Sequence, residues 1–133
     1  MISRKFRLGR LDTRWLLKKG GHLTSNLFIV RYLKFRPTKQ QPQLEPPKFT
    51  VIASTKLAKK AVDRNTIKRR VYEAIRLNLK SLDQESQNKD ETWKVALIPK
   101  KRILDVEYKK IEEDIQKLFA KLARLDQLTL NNE

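Results

Sequence analysis

A long apolar stripe near the C-terminus constrains the fold more than any other feature of the sequence. Between positions 105 and 125, large apolar side chains recur at steps of three and four: Tyr108, Ile111, Ile115, Leu118, Phe119, Leu122 and Leu125. This period predicts an amphipathic α-helix with one apolar face. Asp105 is placed to cap the helix, and Glu107 suits the positive end of its dipole. The apolar face needs another layer to pack against, so the rest of the chain must supply one.

Three β-rich runs predict that this layer is a small sheet. They lie at 26–35, 48–54 and 93–98. The segment 36–47 contains four of the five prolines and predicts a loop between the first two strands. The first strand presents different side chains on its two faces: Phe28, Val30 and Tyr32 on one, and Ile29, Arg31 and Leu33 on the other. The pattern leaves open which face meets the core.

Two further helices complete the expected order of elements. A short helix over 11–19 has Asp12 as its N-cap and ends at Gly20 and Gly21, and a longer helix covers 64–80 with Asp63 as its N-cap. The order is α-β-β-(β)-α-β-α, in which the third strand is optional. It predicts an α+β fold, a small mixed sheet packed with three helices. We expect a single domain over 1–133, with 126–133 as a frayed tail.

The net charge restricts the class of partner. The chain carries 31 Lys and Arg against 15 Asp and Glu, a formal net charge of +16. Such a charge destabilises a compact protein by self-repulsion, which indicates a polyanionic partner, with nucleic acid first and an anionic membrane second. The lack of cysteine excludes disulfides, thiolate zinc sites and cysteine nucleophiles. No apolar run reaches the roughly 18–20 residues of a membrane span, and no signal-peptide pattern is present, so we expect a cytoplasmic protein.

The positive charge is concentrated in one of the two long helices. Positions 105–125 hold five basic and five acidic residues, whereas positions 56–80 hold nine basic and two acidic residues. A binding face requires such concentration, so we interpret the C-terminal helix as structural. A basic peripheral membrane protein, a third alternative, would need a basic face on that helix, and its polar face is balanced.

The basic helix is amphipathic, and its apolar face fixes the direction of its charges. At about 100° per residue, the apolar face consists of Ile67, Val71, Ala74, Ile75 and Leu79. A polar stripe beside that face carries Asn65, Arg69, Tyr72 and Arg76. Lys68 lies at the border of the stripe, and Arg70 lies on the opposite flank. Guanidinium groups bind phosphates bidentately, and a tyrosine ring offers a surface for base stacking. The alternative interpretation is a solvated face whose charges do little.

The sequence offers no constellation for catalysis by the protein itself. A nuclease would need paired carboxylates for two metal ions or a histidine-based acid/base pair. The acidic residues Asp12, Asp63 and Glu73 are better explained as helix caps and an ion-pair partner. His22 is the only histidine and is expected in a turn after the two glycines. We therefore predict no catalytic residue and no metal ligand. Phe28 and Tyr32 share a strand face and could stack a base, with core packing as the alternative.

The segment "AVDRNTIKRRVYEAIR" at 61–76 resembles the signature of the bacterial ribonuclease P protein component. The core of that motif runs Arg-Asn-Arg, two residues, then Lys-Arg. Other segments are similar to the family in the same order: "FRLGRLDTRWLLKKG", "NLFIVRYL", "FTVIASTKLAKKAV" and "WKVALIPKKRI". The chain departs from the family pattern at Thr66 and Tyr72, where arginines are usual. It also departs at Thr55, in place of a lysine, and at Thr13 and Leu17, where phenylalanines are frequent.

The resemblance implies a specific role. Ribonuclease P is an endoribonuclease that removes the 5′ leader from precursor tRNA, and its large RNA carries the chemistry with magnesium ions. The protein is the non-catalytic subunit, binds that RNA through the signature helix, and contacts the leader in a cleft between the first helix and the sheet. The resemblance also implies a left-handed βαβ crossover, against the usual preference. No cofactor bound by the protein, no protein partner and no membrane partner are expected.

The helical projection and the resemblance together give two sets of candidate residues. The set expected to bind RNA is Lys56, Lys59, Lys60, Arg64, Asn65, Lys68, Arg69, Tyr72 and Arg76. The set expected to bind the leader is Thr13, Leu17, Ile29 and Arg31. If the first strand takes the other register, Val30 and Tyr32 replace the last two. The alternative function is a ribosomal or other structural RNA-binding protein with no part in an enzyme.

Overall fold

The architecture is a four-stranded sheet with helices on both faces. The computed structural model describes residues 3–35, 46–85 and 92–124. The elements in chain order are α1 (Arg10–Lys19), β1 (Gly21–Thr24), β2 (Phe28–Phe35), β3 (Lys48–Val51), α2 (Ala61–Glu85), β4 (Thr92–Pro99) and α3 (Tyr108–Arg124). Short 3₁₀ turns precede α1 and α3, at Arg4–Phe6 and Lys101–Asp105. Most of the predicted loop 36–47 and the whole predicted tail 126–133 lie outside the described residues.

The sheet is mixed, as predicted. Its strand order is β1-β2-β4-β3; β2 pairs antiparallel with both β1 and β4, and β3 pairs parallel with β4. Parallel neighbours need a crossover connection, and α2 supplies it between β3 and β4. The left-handedness of that crossover stays a prediction.

The sequence pattern missed strand β1. Gly21 was expected to stop the first helix and His22 to lie in a turn, but Gly21–Thr24 pairs with β2, with His22 opposite Arg31. A four-residue strand that starts at a glycine carries little β-signal, and pairing with β2 forms it. A Cβ atom added at Gly21 would lie 2.5 Å from Cζ of Tyr32, so glycine permits this close approach.

The two faces of the sheet are covered unequally, which settles the orientation of β2. Helices α2 and α3 pack together over one face, and its core contains Phe28, Val30, Tyr32, Phe49 and Trp93. Helix α1 covers the other face through a smaller cluster that contains Leu8, Leu16, Leu33 and Ala96. By strand alternation, Ile29 and Arg31 lie on the α1 side with Leu33. The alternate register, with Val30 and Tyr32 at the cleft, is therefore wrong.

The predicted apolar stripe of α3 is the centre of the larger core. Ile111, Ile115, Leu118, Phe119 and Leu122 are each at most 1% exposed. The ring of Phe119 stacks on that of Phe49, with centroids 5.5 Å apart. Leu125, the last residue of the predicted stripe, lies outside the described residues.

Two buried polar side chains tie α3 to the sheet. Asp114 accepts hydrogen bonds from the Ser25 hydroxyl at 2.6 Å and the Leu27 backbone N–H at 3.2 Å. These bonds anchor the β1–β2 turn to the middle of the helix. At the other end, Lys34 donates to the carbonyls of Leu122 and Ala123 at 3.4 and 3.3 Å. A cation at a helix C-terminus satisfies exposed carbonyls and complements the dipole.

The predicted helix caps are wrong at all three helices. Helix α1 begins at Arg10, and Asp12 instead pairs with Lys94 of β4 at 3.3 Å. Helix α2 begins at Ala61, which leaves Asp63 inside its first turn. Helix α3 begins at Tyr108, so Asp105 ends the preceding 3₁₀ turn. At α1 and α2 the acidic residue lies inside the first turn, where the helix dipole also favours it, and the sequence pattern does not separate that position from the cap.

None of the helices in the described part of the chain combines the length and the hydropathy that a membrane crossing requires.

Candidate nucleic-acid interface

Helix α2 is fixed by its buried face, so its basic side chains have a defined direction. Ile67, Val71, Ala74 and Ile75 are at most 3% exposed, in agreement with the predicted apolar face. Asn65, Arg69, Arg70 and Arg76 are exposed, and Lys68 is half-buried. The helix therefore presents a polar surface that the core holds in place.

Arg64 shapes the basic segment that precedes α2. Its guanidinium donates to the carbonyl oxygens of Ala58 at 2.9 Å and Lys59 at 2.7 Å. These bonds fold the lysine-rich segment back onto the first turn of the helix, while Leu57 anchors the segment in the core at 6% exposed. Part of the donor capacity of Arg64 is thus used internally. The exposed cations here belong to three predicted RNA-binding residues, Lys56, Lys59 and Lys60.

Tyr72 does not lie on the predicted stacking surface, because its side chain is buried. The side chain is 7% exposed, and its hydroxyl accepts the backbone N–H of Val51 at 3.1 Å. A tyrosine at the border of an apolar face can bury its ring and still satisfy its hydroxyl, and here it does so at the end of β3. Its ring is not available to a base. Phe28 and Tyr32 are likewise core residues, at 0% and 4% exposed.

A groove of about 560 Å³ lies between α1 and α2, and we call it the α1 groove. Its lining consists of Leu8, Arg10, Thr13, Arg14, Leu17, Thr50 and Lys68. It brings together Thr13 and Leu17, predicted to bind the leader, with Lys68, predicted to bind the catalytic RNA. Sequence reasoning missed Arg10 and Arg14. Arg14 lies on the predicted helix and Arg10 directly before it, and their four-residue spacing was the available signal.

The other two predicted leader residues do not line the α1 groove. Ile29 lies on the α1 side of the sheet and is 39% exposed. Arg31 is half-buried and donates from its guanidinium to the carbonyl of Gly20 at 2.8 Å. Because Gly20 is the C-cap of α1, this bond ties the end of the helix to β2. The contact gives Arg31 a structural role at the end of α1.

A second groove, of about 460 Å³, lies on the other side of α2, and we call it the α3 groove. Its lining consists of Thr66, Arg69, Arg70, Glu73 and Tyr108. Arg69 and Arg70 thus line the same groove, although the helical projection placed them on opposite flanks. Adjacent residues on a helix point about 100° apart, and long side chains can close that separation.

The charges in the α3 groove are unequal. Arg76 donates to both carboxylate oxygens of Glu73, with its Nε 3.1 Å from Oε2. This hydrogen bond lowers the pKa of Glu73, and the pair cancels its own charge. Burial, followed by the nearby carboxylates of Glu112 and Glu73, raises the pKa of Tyr108 and keeps its phenol neutral. The net positive charge of the groove comes from Arg69 and Arg70.

The structure contains no metal-binding group within its described residues. No set of three or more His, Cys, Asp or Glu side chains lies close enough there to hold an ion. His22 lies exposed on β1, opposite Arg31. The predicted turn position of His22 is therefore wrong.

Fold and charge define a class of protein, a small basic α+β protein whose fixed cationic helix is complementary to a polyanion. The chain belongs to the Ribonuclease P family, whose family model matches residues 9–123. That match extends from the start of α1 into the last turn of α3.

Two bacterial relatives share part of the sequence, and both are ribonuclease P protein components. The protein from Chlorobaculum tepidum is 39% identical over 69 residues, 52% of this chain and 44% of that protein. The protein from Ectopseudomonas mendocina is 32% identical over 82 residues, 62% of this chain and 55% of that protein. The chain spans about half the length of the relatives it matches.

Two solved structures share the fold. The ribonuclease P protein from Thermotoga maritima superposes with a TM-score of 0.65 at 23% identity, covering 86% of this chain and 96% of that one. The ribonuclease P protein from Staphylococcus aureus superposes with a TM-score of 0.62 at 21% identity, covering 90% of this chain and 95% of that one. These likenesses confirm the predicted α+β architecture.

Proposed function

We propose that this chain is the protein subunit of ribonuclease P. It binds the catalytic RNA and the 5′ leader of precursor tRNA, and it assists the endonucleolytic cut that leaves the mature 5′ end. The observation that carries the proposal is the family match over residues 9–123. The two relatives described above are both named as this component.

The catalytic RNA is assigned to the surface of α2 and the segment before it. This surface offers exposed cations from Lys56, Lys59, Lys60 and Arg69, held in place by the buried face of α2. Fixed cations suit a folded RNA because they neutralise phosphates at defined positions. Tyr72 has no part in this contact, and Arg64 contributes mainly by shaping the segment.

The 5′ leader is assigned to the α1 groove. Thr13 and Leu17 line it, and Arg10 and Arg14 add positive charge. The groove reaches Lys68 of α2, so a strand of RNA lying in it would pass close to the surface assigned to the catalytic RNA. That proximity fits a protein that holds the leader next to the RNA catalyst.

In this proposal the RNA subunit carries out the hydrolysis with magnesium ions. The protein contributes positive charge and position, and it binds no cofactor of its own. We propose a cytoplasmic location for the complex, because tRNA precursors are its substrate.

A binding competition tests the proposal against a general structural RNA-binding role. The cognate ribonuclease P RNA and a ribosomal RNA fragment of equal length are titrated with the protein at increasing salt. We expect tighter binding to the ribonuclease P RNA and a preference that persists as salt rises, since non-specific phosphate contacts are lost first. Equal affinity for both RNAs at every salt concentration would reject the proposal.

A matched pair of double variants controls for total charge. Lys59→Ala with Lys60→Ala removes two cations before α2, and Lys117→Ala with Lys121→Ala removes two exposed cations from α3. We expect the first pair to weaken binding to the ribonuclease P RNA and the second to change it little.

A further inference from the structure

The position of α1 on the sheet depends on few contacts of its own. Of the ten residues of α1, all described, only Leu16 is buried, and it packs in the smaller cluster. The ion pair between Asp12 and Lys94 is partly exposed, and exposed pairs contribute little. Gly9, the N-cap of α1, has no side chain that could cap the helix. The N-terminal half of α1 must therefore be held by the residues that precede it.

Residues 6–8, which we call the N-terminal clip, hold that end of α1 against the edge strand β3. Arg7 lies opposite Phe49 in a parallel bridge, and the Leu8 N–H donates to the Phe49 carbonyl at 2.8 Å. Phe6 is half-buried and packs against the larger core. Leu8 is 8% exposed and belongs to the smaller cluster on the other face of the sheet. The clip thus contacts both faces of the sheet around the β3 edge.

The N-terminal clip also sets the width of the α1 groove. Leu8 lines that groove, together with Arg10 at the start of α1 and Thr50, the neighbour of Phe49 in β3. The α2 side of the groove does not depend on the clip, because α2 is held by its own buried face. The distance between α1 and α2 therefore follows the position of the clip. Phe6 lies outside the groove lining, so any effect of Phe6 on the groove is indirect.

We propose that Phe6 is a positioning residue for the 5′ leader: by anchoring the N-terminal clip in the larger core, it holds α1 at the distance from α2 that the leader requires. This inference rests on the proposed function, because it takes the leader as the occupant of the α1 groove. When the clip opens, the N-terminal half of α1 is released and the groove loses its shape. The apparent affinity for a leader that binds only the closed form falls with the fraction of closed molecules. Mature tRNA has no leader, so its binding does not depend on the clip.

The test compares two half-buried apolar residues at opposite edges of the sheet. Phe6 and Leu23 both pack against the larger core, Phe6 beside β3 and Leu23 on β1. The affinities of the assembled complex for precursor and mature tRNA are measured for each alanine variant. Half-burying an aromatic side chain favours the closed clip by about tenfold in population. We therefore expect Phe6→Ala to reduce the preference for precursor tRNA by roughly three- to tenfold. Leu23→Ala should lower the melting temperature and keep the preference.

Two further measurements separate opening of the clip from a general loss of stability. Phe6→Leu keeps an apolar anchor, so it should retain the preference for precursor tRNA. Hydrogen exchange at the Leu8 amide reports whether the clip is closed, because that N–H is bonded to β3. Phe6→Ala should speed exchange at Leu8 and leave the amides between β2 and β4 unchanged. In the unaltered protein, a single-stranded RNA with the leader sequence should slow exchange at Leu8, and this measurement needs no variant that folds.

The outcomes separate this inference from the proposed function. If the unaltered protein shows no preference for the ribonuclease P RNA over the ribosomal fragment, the proposed function fails. If that preference holds, the inference about Phe6 is overturned by any of three results: Phe6→Ala keeps the preference for precursor tRNA, Leu23→Ala loses it equally, or the leader RNA leaves exchange at Leu8 unchanged. The proposed function stands in each of these cases. Phe6→Ala should also leave the affinity for the ribonuclease P RNA unchanged, and a loss of that affinity equal to the loss for precursor tRNA would show a general structural role instead.

Discussion

Tyr72 is buried, although its position in the sequence predicts that it lies on the polar stripe of α2. By helical projection it belongs to the same stripe as Arg69 and Arg76. In the structure it lies in the core, and its hydroxyl accepts the N–H of Val51, the last residue of β3. This side-chain hydrogen bond joins helix α2 to the strand before it. The role of Tyr72 is to position α2.

The substitution Tyr72→Phe tests that role. It keeps the ring but leaves the buried N–H of Val51 without its acceptor, which costs about 1–3 kcal/mol of unfolding free energy. We expect a lower midpoint of thermal unfolding and unchanged affinity for the ribonuclease P RNA at temperatures where the variant is folded. A loss of RNA affinity with unchanged stability would return Tyr72 to the RNA-binding surface.

At the scale of elements, the structure depends on a few polar contacts that hold helices to the sheet. Asp114 joins α3 to the β1–β2 turn, and Arg31 joins the end of α1 to β2. Asp114 is 89 positions from Ser25 in the sequence, and Arg31 is 11 positions from Gly20. The contacts set where the grooves lie, because the grooves are the spaces left beside α1 and α3.

The contact made by Asp114 can be tested against an exposed acidic residue nearby in the sequence. Asp114→Ala leaves the Ser25 hydroxyl and the Leu27 N–H without their acceptor, so we expect it to lower the unfolding free energy by about 2–4 kcal/mol. Asp105→Ala should cost almost nothing, because Asp105 is exposed and ends a 3₁₀ turn. Chemical denaturation measures both. A comparable loss for Asp105→Ala would restore it as the cap of α3.

The α1 groove separates the roles of two arginines, Arg14 and Arg31, that could not be distinguished from the sequence. Arg14 is exposed in the groove lining, so Arg14→Ala should weaken binding of precursor tRNA to the assembled complex and spare mature tRNA. Arg31→Ala should mainly lower the melting temperature, since it breaks the bond to Gly20. If Arg31→Ala removes the preference for precursor tRNA while Arg14→Ala does not, the assignment of the leader to the α1 groove is wrong.

Long periodic elements could be predicted from the sequence, and short ones could not. The stripe of α3 repeats over 17 residues, so its period alone identifies the buried face. Strand β1 has four residues and exists because β2 offers it a partner. The caps of α1 and α2 could not be predicted, because an acidic residue suits both the cap and the first turn. The grooves could not be predicted either, because the residues around Arg10, Arg14 and Arg70 come together only when the helices pack against the sheet.

At the scale of the whole molecule, the charge of +16 and the fold serve one purpose in this account. The core fixes the cations, and the cations draw together RNA surfaces that would otherwise repel each other. Magnesium ions screen the same repulsion, so protein and magnesium should substitute for each other in part. This makes the dependence on magnesium diagnostic of a protein that assists an RNA catalyst.

The most direct test is the rate of leader removal from precursor tRNA by the cognate ribonuclease P RNA, measured with and without the protein over a range of magnesium concentrations. The account predicts that the protein freed of RNA cleaves nothing. It also predicts that the protein raises the rate most at low magnesium and progressively less as magnesium increases. Cleavage by the RNA-free protein, or an equal effect at every magnesium concentration, would contradict it.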